Sequence, residues 1–208
     1  MIATARAGPT SLPKRTRHPC PRGVDIIRRY IITGAPGAGK TTILAALRER
    51  GYAVVDEAAT DVIAREQALG GDHPGLDAGF IDAITLLQRH RQEQPAPPST
   101  MVQVFDRSPI CTLALARYLG QPVTPILARE VDRIVAERTY QPRVFFVHLL
   151  GFITPTAARR ITLAQSVTFE RFHEQAYRDH GYELVDVPAG TPEERVRLIE
   201  RHIRSWAE

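Results

Sequence analysis

The chain has 208 residues, enough for one ordinary domain and too few for two large ones. Its residues are 43% hydrophobic and 24% charged, and no run approaches the roughly twenty apolar residues that a membrane-spanning helix needs. The net charge of +4 comes from the first 30 residues, where Arg6, Lys14, Arg15, Arg17, Arg22, Arg28 and Arg29 face only Asp25; the rest is net negative, with no basic face to hold nucleic acid.

Residues 1–23 carry Pro9, Pro13, Pro19 and Pro21 among scattered cations, without an apolar period. They read as a disordered basic tail, lacking both the apolar core of a signal peptide and a clear amphipathic helix. Residues 24–208 are expected to form one domain. Cys20 and Cys111 are the only cysteines. They cannot build a disulfide framework or a thiolate zinc site; they fit a reducing, cytoplasmic setting, with both thiols buried.

Residues 26–33 (IIRRYIIT) form a β-branched and aromatic run that stops at Gly34, a first strand. Residues 41–50 read as helix, 52–56 (YAVVD) as a second strand and 60–69 as helix again. Gly70-Gly71-Asp72-His73-Pro74-Gly75 is a loop. Phe80, Ile81, Ile84 and Leu87 then recur at helical spacing, and the Pro95–Pro98 stretch ends that helix. Residues 101–105 (MVQVF) predict a third strand, followed by helices at 110–118 and 124–138. Residues 143–150 (RVFFVHLL) and 182–187 (YELVDV) supply the fourth and fifth strands. The last helix opens with Thr191 as N-cap, Pro192 at its first position and Glu194 closing a capping box. Its stripe of Val196, Ile199, Ile203 and Trp206 faces the core, and its arginines are assigned to solvent.

Strands separated by helices imply a parallel sheet covered on both faces. Such sheets bind ligands beyond the carboxyl ends of their strands. Beyond the first strand stand Gly34, Ala35, Pro36, Gly37, Ala38, Gly39, Lys40, Thr41 and Thr42, a complete G-x-x-x-x-G-K-[ST]. The glycines allow a tight loop whose N–H groups point at phosphate oxygens, and the helix that follows adds its positive end. Lys40 reaches the β- and γ-phosphates, and the Thr41 hydroxyl ligates Mg2+. Lys14 is the only other lysine; an ammonium retained here in an arginine-rich chain points to a need for a compact charge. The motif makes a nucleoside triphosphate with Mg2+ the expected ligand, and the lack of an N-K-x-D base-recognition motif leans toward ATP over GTP.

Three further segments carry a family likeness: Val54-Val55-Asp56-Glu57-Ala58-Ala59 after the second strand, Phe105-Asp106-Arg107-Ser108 after the third, and the stretch from Ala158-Arg159-Arg160 through Gly181–Val185 to Pro188. With the P-loop, their order and spacing resemble the nucleoside and nucleotide kinase branch of the P-loop fold. The closest resemblance is to the small AAA-type ATPase/kinase family related to the nicotinamide riboside kinase domain. That resemblance implies a three-layer P-loop NTPase fold, with a five-stranded parallel sheet, helices on both faces and a short lid.

The resemblance implies roles as well. Glu57 matches a glutamate that takes the proton of the acceptor hydroxyl in deoxynucleoside kinases. It also suits a plain helix-starting carboxylate, and Asp61, one turn on, is the substitute base. Asp106 ends an apolar strand, where an acid can hold the Mg2+ shell, and Arg107 then meets the acceptor or the transferring phosphoryl group. A salt-bridged Asp-Arg loop pair is the other reading. Relatives often carry a further acid nearby, whereas this chain has Ile110, Cys111 and Thr112. Arg159 and Arg160, in residues 152–164, match lid arginines that close over a triphosphate, or are solvated cations before the next helix. His148 reads as a packed core histidine on the fourth strand, with a place near the site as the alternative. Pro188-Ala189-Gly190 falls where relatives pass adenine over a loop.

Two functions follow: a Mg2+- and ATP-dependent kinase acting on a hydroxyl of a small, nucleoside-like acceptor, or a regulatory ATPase/GTPase switch with no small-molecule acceptor. A mechanical AAA ring is not expected, since no helical lid domain is recognisable after the core.

Overall fold

A computed structural model of the chain describes residues 27–68, 78–151 and 162–206. The predicted tail at 1–23, the loop at 70–75, Cys20, and the lid arginines Arg159 and Arg160 lie outside the described residues. The elements alternate as predicted: β1 (Arg28–Thr33), α1 (Lys40–Glu49), β2 (Ala53–Val55), α2 (Ala58–Ala68), α3 (Ala78–Glu93), β3 (Val102–Asp106), α4 (Pro109–Tyr118), α5 (Pro125–Ala136), β4 (Arg143–Val147), α6 (Leu163–Asp179), β5 (Glu183–Val187) and α7 (Pro192–Ser205). Most boundaries fall within two residues of the sequence reading. The fourth strand stops three residues early, at Val147, its pairing with β5 ending where the His148 N–H bonds Val187 O at 3.0 Å.

All five strands pair in parallel, in the order β2-β3-β1-β4-β5. The chain leaves central β1 for edge strand β2, returns through β3, and then crosses β1 to reach β4. This reversal of winding opens a cleft beyond the carboxyl ends of β1 and β3. The register aligns Ile32 with Asp106, so the last residue of β3 lies level with the start of the P-loop.

Period-two alternation sends the strand residues to two cores. Tyr30, Ile32, Val104, Phe145 and Val147 pack under α1 and α7. Ile31, Phe105 and Val144 pack under α4, α5 and α6. Strands buried on both faces must read as continuous apolar runs, and those of β1 and β4 do. The predicted α7 cap is present: Thr191 Oγ1 accepts from Glu194 N–H, and Glu194 Oε2 accepts from Thr191 N–H at 2.9 Å. Trp206 stacks on Phe145 at 5.4 Å.

The assignment of the α7 arginines to solvent requires one correction. Arg197, Arg201 and Arg204 are exposed, but Arg195 is only 4% exposed. It stands beside Val196 at the helix start, where backbone carbonyls from three loops take its guanidinium. Helix α6 follows the predicted lid stretch and runs for 17 residues behind a second capping box, Thr162 with Gln165. Its buried face is Ser166, Phe169, His173, Ala176 and Tyr177.

Candidate active site

Residues 34–39 turn the chain from β1 into α1 with positive φ at Gly34, Gly37 and Gly39. At Gly34 only glycine fits, because a Cβ would lie 2.2 Å from the Val147 carbonyl oxygen. Gly39, at φ 85°, takes the N-cap position of α1, so no side chain occupies that helix end and its N–H groups face the loop. Lys40 is buried; its ammonium donates to Gly34 O at 2.9 Å and Ala35 O at 3.0 Å. Burial, then Arg107, lowers its pKa to about 8, an environment that favours an arriving anion. Thr41 and Thr42 are exposed at the start of α1.

Across the cleft, Glu57 sits between the end of β2 and α2. Its Oε1 accepts from Arg107 Nε at 2.5 Å, and its Oε2 from Thr60 Oγ1 at 3.0 Å. Burial pushes the Glu57 carboxyl up, but Arg107 and Lys40 outweigh it and hold the group below its usual range. Glu57 is therefore a carboxylate at neutral pH, ready to accept a hydrogen bond. Asp61 occupies a different place: it pairs with Arg91 of α3 and lines no part of the cleft described below.

Arg107 follows β3 with φ 70°, a left-handed backbone that costs a non-glycine residue of order 1–3 kcal/mol. Its N–H still bonds Ile32 O at 3.0 Å, extending the β1–β3 ladder by one rung. Arg107 turns into the cleft, while Asp106 stays at the strand end within electrostatic reach of Lys40 and Glu57. Asp106 keeps a buried Oδ1 with no hydrogen-bond partner among the described residues. Burial lifts its pKa to about 6, against the pull of Lys40.

The second partner of Arg107 is a residue the sequence reading did not single out. Arg107 Nη1 lies 3.1 Å from His173 Nε2, while His173 Nδ1 lies 3.0 Å from Phe169 O. A guanidinium can only donate, so Nε2 accepts, and Nδ1 carries the proton donated to the carbonyl. Burial, reinforced by Arg107, depresses the imidazole pKa well below its ordinary value and fixes this neutral tautomer. The clue in the sequence was its place in the α6 stripe; the partner, 66 residues away, was not legible.

A cavity of about 190 Å³ opens from this group. Glu57, Arg107 and Pro36 stand at one part of its lining; Ile63, Phe80, Ile84, Leu115 and Phe169 make it largely apolar. Cys111 and Thr112 belong to the same wall. Thr112 donates to Gln88 Oε1 at 2.9 Å, and the Cys111 thiol, 3.0 Å from Thr33 Oγ1 and 3.1 Å from Tyr177 Oη, is held in a buried network. His148 is not a core histidine. It lies half-buried past the end of β4, with Nε2 at 2.8 Å from Asp186 and Nδ1 at 3.5 Å from Glu170.

The sheet, the glycine loop and the buried lysine define a P-loop NTPase of the kinase-like fold. Residues 29–195 match a family of AAA domains (AAA_28), and the chain belongs to it. No curated protein matches the sequence. Among solved structures the chain is similar to deoxyadenosine kinase from M. mycoides with products dCMP and a flexible dCDP bound, with 16% identity and TM-score 0.52 over 85% of this chain and 98% of that one. It is similar to the NadR protein in complex with NAD and AMP-PNP, with 15% identity and TM-score 0.61 over 84% of this chain; it spans about half (49%) of that protein's chain. Shikimate kinase from Acinetobacter baumannii in complex with shikimate aligns with 13% identity and TM-score 0.53 over 87% of this chain and 95% of that one. At such identities these likenesses establish the fold. Among the described residues no helix is long and apolar enough to cross a membrane.

Proposed function

We propose that this chain is a Mg2+-dependent kinase that moves the γ-phosphoryl group of ATP to a hydroxyl of a small acceptor with an apolar, nucleoside-like body. The observation that carries this reading is the Glu57 carboxylate, held by Arg107 beside an apolar cavity that borders the phosphate loop at Pro36. A nucleotide switch without an acceptor has no use for that cavity.

The triphosphate lies along residues 34–42, with Lys40 leaving its carbonyls for the β- and γ-phosphates. Thr41 and Asp106 suit Mg2+: a hydroxyl at the helix start and a buried carboxylate oxygen with no partner among the described residues. Held by these two residues, Mg2+ would neutralise phosphate charge. The acceptor oxygen attacks the γ-phosphorus as the bond to the ADP oxygen breaks, and the hydroxyl proton passes to Glu57. Arg107 orients Glu57, and Arg159 and Arg160, outside the described residues, are assigned to neutralise the transferring group.

The test is ADP release with and without a panel of nucleosides and small alcohols. Acceptor-dependent turnover supports the kinase. Equal basal rates across the panel, with saturable nucleotide binding, leave the regulatory ATPase/GTPase switch.

A further inference from the structure

The phosphate loop is held from behind by a charge that the site has not yet used. Arg195, at the start of α7, directs its whole fork into backbone carbonyls: Nη1 to Ala38 O at 2.6 Å, Nη2 to His148 O at 2.6 Å and Val187 O at 3.5 Å, and Nε to Pro188 O at 2.8 Å. Among the described residues no carboxylate pairs with it. Burying a guanidinium without an anion is expensive, and an apolar side chain could fill the same volume at lower cost. Desolvation accordingly lowers its pKa from the usual arginine value.

We propose that Arg195 is a positioning residue for the nucleotide's phosphates, fixing the Ala38–Gly39 peptide so that the Gly39 N–H faces the anion. This rests on the ATP-binding reading above. In a trans peptide the C=O and N–H point to opposite sides, and no cis bond occurs among the described residues. Gripping Ala38 O from the α7 side therefore turns the Gly39 N–H away from Arg195, toward the loop interior. That N–H has no backbone acceptor among the described residues, which leaves it free for a phosphate oxygen. A Cβ on Gly39 would lie 3.1 Å from Arg195 Nη1, so glycine there admits the guanidinium. The same fork ties the loop to the ends of β4 and β5, and its uncompensated charge adds to the field on the phosphates.

The experiment compares wild type, Arg195→Met and Arg195→Lys by displacement of a fluorescent ATP analogue with ATP and with adenosine, alongside thermal melting. Losing a charge-assisted contact behind the phosphates should weaken ATP by about tenfold or more in R195M, with adenosine displacement unchanged. R195K, which keeps the charge but lacks the fork, should fall between. If R195M does not fold, R195K carries the test, and its ratio of ATP to adenosine affinity must drop. Equal losses for both ligands, or an R195K ratio equal to wild type, would overturn the positioning role. A wild-type chain that binds no ATP removes the ATP reading as well, whereas normal wild-type binding with unchanged variants refutes only the role of Arg195.

Discussion

Replacing Glu57 with glutamine separates a base from a strut. The side chain is 27% exposed and its partner Arg107 only 10%. Glutamine keeps an oxygen for Arg107 Nε but gives up the charge. A charge-assisted bond thus becomes a neutral one, a loss of about 1–2 kcal/mol that should lower the melting temperature by roughly 2–8 °C for a domain of this size. As a base lost from phosphoryl transfer, the same change should slow turnover by about 10²- to 10⁴-fold. The two magnitudes differ enough to be read apart. Single-turnover transfer at saturating ATP and acceptor measures the chemical step, and calorimetric titration with ATP and Mg2+ checks that nucleotide affinity stays within about twofold. Transfer within tenfold of wild type, at the expected melting temperature, would refute the proton-accepting role and leave Glu57 as an ion-pair partner only.

His173 gives a pH signature. Its folded pKa lies well below the unfolded value of about 6.5, so below that pH the unfolded chain binds the extra proton; its stabilising contribution is complete above about pH 6.5 and is lost as pH falls. Denaturant unfolding of wild type and of His173→Gln, which keeps an acceptor for Arg107, should diverge below pH 6.5 with a slope approaching about 1.4 kcal/mol per pH unit. Parallel curves would contradict the buried neutral imidazole. Ala59→Phe places a ring in the apolar cavity and should raise the acceptor KM by about tenfold with little change in the KM for ATP; equal changes in both would separate the cavity from the acceptor.

The half of the site built from contiguous residues was legible in the sequence. A P-loop is a local conformation, and its glycines, lysine and flanking strand and helix lie in one continuous stretch from Arg28 to Glu49. Glu57 and Asp106 were legible for a related reason: each sits at a strand end, where a parallel sheet presents its ligands. What escaped depended on distant partners. His173 sits in a helical stripe, and nothing local distinguishes a polar residue that meets Arg107 from one that faces its own backbone. Arg195 flanks the apolar stripe of α7, and a helical wheel cannot reveal three strand-end loops converging there. Cys111 and Thr112 looked like a missing acid and instead form part of the cavity wall.

The strand order has a consequence for how such a protein diversifies. The phosphate loop occupies the middle strand; Glu57, Asp106 and Arg107 come from strands on one flank, while Arg195 gathers the strand ends of the other. The carbonyls that Arg195 holds belong to Ala38, His148, Val187 and Pro188, not to the α2 and α3 residues that wall the cavity. Mutations can therefore recut the shape of one flank while the grip on the central loop is inherited unchanged.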